Sequence, residues 1–155
     1  MKPDDHAGHP PSGVLSEGQR DTLRVVAETL VPGAAEAGVV AFVERQLARD
    51  NPWLFLKYRD LPIAPADFYR QALDAIDQLA RRQHGAPFPT LDETARNGII
   101  DLLIAGDPPG WDGPPANEVF TILRMDAFDA VYATPAGYQR LDVPLALHII
   151  PEQAW

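Results

Sequence analysis

Few residues in this chain could do covalent or acid–base chemistry. Cysteine is absent, which removes thiolate nucleophiles, disulfides and cysteine-ligated metals together. The only serines are Ser12 and Ser16, one in a proline- and histidine-rich stretch and one at the start of a helical pattern. No Ser–His–Asp arrangement is indicated by such placements. Of the four histidines, His6 and His9 share the N-terminal stretch, where they could meet a metal adventitiously without forming a closed site. His84 falls beside the end of a helical pattern, a position where the helix dipole favours a cation. His148 lies between Leu147 and Ile149 and reads as a packed side chain rather than a base. Asp126 and Asp129 stand three apart on one helix face. Two carboxylates so spaced can share acid and base work, but ordinary solvated helix faces carry the same spacing, and that is the simpler reading. The G-x-G-x-x-G fingerprint, the phosphate-binding P-loop and the Glu-x-x-His motif of di-iron bundles are all missing. The residue inventory assigns no catalytic residue, no cofactor-binding residue and no metal ligand.

The elements that carry these residues are helical. At 155 residues, 46% of them hydrophobic, the chain fits one folded domain. Residues 1–14 are rich in Pro, Gly, Asp and His and read as a loosely attached tail. Ser16 and Gln19 form a capping box, after which Leu23, Val26, Ala27 and Leu30 make one apolar stripe that stops at Val31-Pro32-Gly33. A second helix is predicted over 36–49. Asn51-Pro52 then caps a short turn holding the aromatic group Trp53, Phe55 and Tyr58. The third and longest helix is predicted from Pro65 to His84, closed by Gly85. A capping box at Thr90 and Glu93 introduces a fourth helix ending near Gly106, and a fifth runs from about Asn117 to Tyr132. Between those two, residues 107–115 are a Pro/Gly loop around Trp111. From about Tyr138 to Trp155 the chain reads as an extended, apolar arm. The fold class is therefore all-α: a compact bundle of about five helices, residues 15–155 forming a single domain with that arm.

Charge narrows the partners. The formal net charge is −9 and the sequence pI about 4.7, so neither the phosphates of nucleic acid nor an anionic membrane surface is a matching partner. No apolar run approaches the roughly 20 residues that span a bilayer, and no direct membrane insertion is expected. The first residues carry neither a basic and apolar leader nor a twin-arginine pair. The expected location is cytoplasmic as the sequence stands, or periplasmic where a leader has been removed or a partner carries the export signal. What remains is binding to another protein. Trp111, in a loop that periodicity cannot assign to a core, is either a lid folded over the helices or an interface anchor. Tyr132, Tyr138 and Trp155 join it as partner-binding candidates, since Trp and Tyr dominate binding hot spots.

The segment 15–33, a capped helix ending in Leu30-Val31-Pro32-Gly33, followed by Ala37-Gly38-Val39, resembles the start of the gluconate 2-dehydrogenase subunit 3 family. The segment 120–138, with its Tyr132-Ala133-Thr134-Pro135-Ala136-Gly137-Tyr138 exit, is similar to that family's last helix. The resemblance covers about residues 15–140. It departs from the family in lacking a twin-arginine signal and in carrying Tyr138-Gln139-Arg140-Leu141-Asp142 where a Gly-Gly-Asn run is usual. The resemblance implies a small gamma subunit, itself without catalytic residues, of an FAD-dependent sugar or polyol dehydrogenase. FAD and the active site are then expected in a large partner subunit, with a cytochrome c subunit as electron acceptor. Two other readings stay open on the residues alone: a free-standing helical enzyme or small-ligand binder using acidic residues and His148, and a homo-oligomeric adaptor.

Overall fold

The structure, a computed structural model, describes residues 13–142. Six α-helices follow in chain order among them: α1 (Glu17–Leu30), α2 (Val39–Leu47), α3 (Pro65–His84), α4 (Glu93–Ala105), α5 (Ala116–Tyr132) and α6 (Pro135–Arg140). Two short 3-10 turns, Phe55–Tyr58 and Phe88–Thr90, punctuate the connections. No strand occurs among the described residues, so the fold class is all-α as the periodicity required. His6, His9, His148, Trp155, nearly all of the expected tail and most of the expected arm lie outside the described residues.

One core unites the elements. α1 packs against α2, α3, α4 and α5, and α5 in turn receives α2, α4, α6 and the first 3-10 turn. Leu23, Val26 and Ala27 of α1 meet Phe68, Ala72 and Ile76 of α3 and Val119, Ile122 and Ala127 of α5 in the same buried cluster. These positions recur at three- and four-residue spacing, which is how a helix brings one stripe to a core.

Local chemistry sets the boundaries, and several differ from the sequence expectation. The α1 capping box is present: Gln19 N–H donates to Ser16 Oγ at 3.2 Å and Ser16 N–H to Gln19 Oε1 at 2.9 Å. α2 is shorter than the predicted 36–49, because residues 33–38 wind into turns ended by Gly38 at φ +81°. Those turns are held by Glu28, whose carboxylate accepts from Gly33 N–H and Ala35 N–H at 2.9–3.1 Å. These backbone bonds lower the Glu28 pKa below the ordinary 4.5. The exposed carboxylate thus adds stability above that pH, and the contribution is lost as pH falls through the lowered pKa. Glu28→Gln is expected to cost about 1 kcal/mol at neutral pH, screening keeping it small, with the difference shrinking as pH falls through the lowered pKa. Urea melts of the two proteins over a falling pH series check this.

The second 3-10 turn and α4 correct the Thr90 capping box. Thr90 belongs to the turn, and Asp92 is the N-cap, accepting from Ala95 N–H at 2.8 Å. The Asn51-Pro52 start also moves: the aromatic turn is Phe55–Tyr58, entered from extended Leu54. At the far end, Thr134-Pro135-Ala136-Gly137 is a helix start rather than an exit. Thr134 Oγ1 accepts from Gly137 N–H at 3.0 Å and Pro135 fills the first turn. The helical residues therefore run to Arg140, so Tyr138, expected to open an extended arm, belongs to α6 instead.

Candidate functional site

α5 packs against α1, α2, α4, α6 and the first 3-10 turn, and one buried carboxylate on it is central. Asp126 is 1% exposed, on the face of α5 that also turns Ile122, Leu123 and Ala130 inward. Its Oδ2 accepts from the Tyr69 hydroxyl of α3, and its Oδ1 accepts from Phe55 N–H at 2.7 Å. One side chain thereby ties α5 to α3 and to the aromatic turn. Burial raises the Asp126 pKa from 3.8 to about 7; the two donated hydrogen bonds pull the other way, and Asp129 adds a small rise. Tyr69, fully buried beside it, has its pKa raised well above 10, first by burial and then by the Asp126 charge and hydrogen bond. The pair Asp126–Asp129 is thus not the solvated face expected from spacing. Asp126 is a structural clamp, closed off from any substrate.

In and just before the turn that Asp126 holds stand the most exposed aromatics among the described residues. Trp53 is 57% and Tyr58 64% exposed, and Lys57 Nζ lies 3.4 Å from the Trp53 ring centroid and 5.1 Å from that of Tyr58. Just beyond, Arg59 grips Glu118 of α5 through two bonds of 2.6 and 2.7 Å. The guanidinium holds the Glu118 carboxyl below its usual range, and the carboxylate raises the Arg59 pKa in return. These aromatics were visible as a group in the sequence, but not as an exposed one.

The sequence-derived candidates separate. Trp111 is half-buried against the core, its indole N–H donating to the Pro114 carbonyl at 2.6 Å. Arg82 of α3 donates to the Gly110 carbonyl, and Gly113 sits so close to Ala75 that an added Cβ would lie 2.7 Å from it. Of the two readings of Trp111, the geometry is that of a loop folded onto α3, with part of the ring left at the surface. Tyr132 is half-buried with its ring 4.7 Å from that of Phe128, itself 46% exposed. Tyr138 is half-buried on α6, which packs on α5, so Tyr132 and Tyr138 share one end of the bundle while Trp111 belongs to the α3 side.

Other groups offer little space for chemistry. A shallow cleft of about 270 Å³ is lined by Asp21, Asp74, Asp77 and Arg81, slightly below the usual range for small-molecule sites. Asp74 accepts from Gln19, and Asp77 from both Arg81 and Phe88 N–H, so these carboxylates serve packing. Among the described residues no three His, Asp or Glu side chains gather as a metal site, and no helix is long and apolar enough to cross a membrane.

Comparison with known proteins adds the relationship that the geometry alone lacks. Neither the curated proteins nor the solved structures contain a match. The family described as Gluconate 2-dehydrogenase subunit 3 matches residues 17–144, from the first residue of α1 to just past α6. With most of its length so matched, the chain belongs to the gluconate 2-dehydrogenase subunit 3 family.

Proposed function

We propose that this chain is the non-catalytic small subunit of a heteromeric FAD-dependent dehydrogenase that oxidises a sugar, glycoside or polyol hydroxyl. Its work is to bind and stabilise the flavin-bearing large subunit and to aid that subunit's maturation or export. The observation that carries the reading is the family match across residues 17–144, because a family of subunits implies partner subunits. Two structural features support it. The buried carboxylate with a raised pKa is sealed inside the bundle, and Trp53, Tyr58 and Phe128 stand at the surface. Flavin, and the hydride chemistry it supplies, belongs in this reading to the large subunit, and a cytochrome c subunit takes the electrons.

Co-expression tests it. The tagged chain, produced with an FAD-dependent oxidoreductase from its own genome, is expected to retain a yellow flavoprotein through affinity and size-exclusion steps. Omitting the chain is expected to lower the yield of soluble, flavin-loaded oxidoreductase by at least about tenfold, as for an obligate partner with a large apolar interface. A monodisperse chain that turns over a substrate unaided would sink the proposal.

A further inference from the structure

We infer that the Trp53–Lys57–Tyr58 cluster and the groove beside it are a docking site for the partner subunit, taking an apolar side chain flanked by a carboxylate. The inference rests on the subunit reading above and names a surface and a partner chemistry for it.

The groove is about 270 Å³, lined by Leu54, Leu56, Leu61 and Ile63 with Lys57 and Arg59 among its polar groups. That volume is below the range of cofactor and substrate pockets, and it suits the insertion of one large side chain. Charge selects what flanks that side chain. Arg59 is already neutralised by Glu118, whereas the Lys57 ammonium rests on ring faces and is joined to no carboxylate among the described residues. An ammonium over an aromatic face keeps its charge available to an incoming anion. The whole chain, at −9, favours basic partners, and Arg45, Arg49 and Arg124 likewise pair with no carboxylate among the described residues. Lys57 is the cation without a carboxylate partner that lines this groove, so a carboxylate is what complements it there. A second copy of a chain with that net charge brings long-range repulsion to the same encounter.

The site is also built before a partner arrives. Asp126 fixes the Phe55 amide from below, and the Arg59–Glu118 fork fixes the other end of the turn. Pre-organisation of this kind removes ordering cost from association. Trp and Tyr are the residue types that carry hot spots, yet here more than half of each is exposed.

The test uses the 155-residue chain and the flavoprotein that co-purifies with it, with affinity measured by surface-immobilised titration. Trp53→Ala with Tyr58→Ala is expected to weaken binding on the order of 30-fold, as hot-spot truncations do. Lys57→Glu is expected to weaken it about tenfold and Lys57→Arg hardly at all, because only the sign of the charge is lost in the first. All these side chains are exposed, so unaltered thermal unfolding confirms intact folds. Variants that bind as tightly as the unaltered chain overturn the docking site and leave the subunit reading standing. An unaltered chain that retains no flavoprotein overturns both. Sedimentation of the chain alone adds a further outcome: a dimer dissolved by Lys57→Glu would assign the surface to a second copy and overturn the inference.

Discussion

Replacing Asp126 by asparagine is expected to remove about 4 kcal/mol of pH dependence from the stability of this protein between about pH 4 and pH 8. The carboxyl has a pKa of about 7 in the fold against 3.8 for a solvated group. Below the lower value it is protonated in both states and contributes no pH dependence. As pH rises, the unfolded chain ionises first and gains free energy that the buried carboxyl cannot match. Stability therefore falls progressively from about pH 4 and levels off above about pH 7, at about 1.4 kcal/mol for each unit between the two pKa values. Asparagine keeps the oxygen that accepts from Phe55 N–H and does not titrate. Any constant cost from re-pairing the Tyr69 hydroxyl shifts its whole curve without tilting it. The carboxylates of Glu28 and Glu118, lowered by their backbone and Arg59 bonds, act in the opposite direction at acid pH and are common to both proteins. Urea unfolding of the two proteins over that pH range gives the difference directly, and parallel curves would refute the buried clamp. Tyr69→Phe is the companion. At pH 8 it strips a charged acceptor of one donor and is expected to cost about 2–3 kcal/mol, falling as the carboxyl protonates.

Such a clamp explains why part of this molecule was readable from sequence and part was not. α1 and α3 were legible to the residue because their ends are written in local chemistry. Ser16 and Gln19 close one helix start, Pro65 opens the longest helix and Gly85, at φ +71°, ends it. The α2 start was not, since Glu28 reaches five and seven residues ahead to hold turns that local propensity would have made helix. Asp126 was misread for a related reason. Its type says surface, while its register says core: with Val119, Ile122, Leu123 and Ala130 it continues a single buried stripe. Register was the better guide, because a buried acid is tolerated where donors reach it from elsewhere in the chain. Those donors, Tyr69 and Phe55, are 57 and 71 residues away in sequence. The exposure of Trp53 and Tyr58 is a tertiary fact of the same kind. The relationship to a family of subunits, in contrast, was carried by short segments whose order along the chain survives where their packing cannot be seen.

Gly137→Ala is expected to displace α6 and, with it, the end of the bundle that presents Tyr132 and Tyr138. An added Cβ at Gly137 would lie 2.5 Å from Tyr132 Cα and from the Val131 carbonyl oxygen, and 2.6 Å from the Tyr132 carbonyl oxygen. All three are backbone atoms at the end of α5, so no rotamer change relieves the clash. The six-residue helix must lift away from α5 or strain both helices, and overpacking of this kind costs about 1–3 kcal/mol. The cost cannot much exceed the free energy that docks so short a helix, because α6 can undock while the rest of the core stays formed. Global unfolding is therefore expected to weaken by only about 2 kcal/mol, while amide exchange at Tyr138 and proteolysis after Arg140 accelerate far more. Gly18→Ala supplies the contrast. No atom lies within 4 Å of its added Cβ on α1, and the change is expected to stabilise by about 0.5–1 kcal/mol, the helix propensity difference. If Tyr132 and Tyr138 contact the flavoprotein, as their residue types lead us to expect from the sequence, Gly137→Ala also weakens that complex by at least about tenfold, well beyond its effect on folding. A Gly137→Ala chain that melts, exchanges and binds like the unaltered one would show that α6 does not seat on α5 through this glycine, and would remove the physical basis for treating Tyr132 and Tyr138 as one surface.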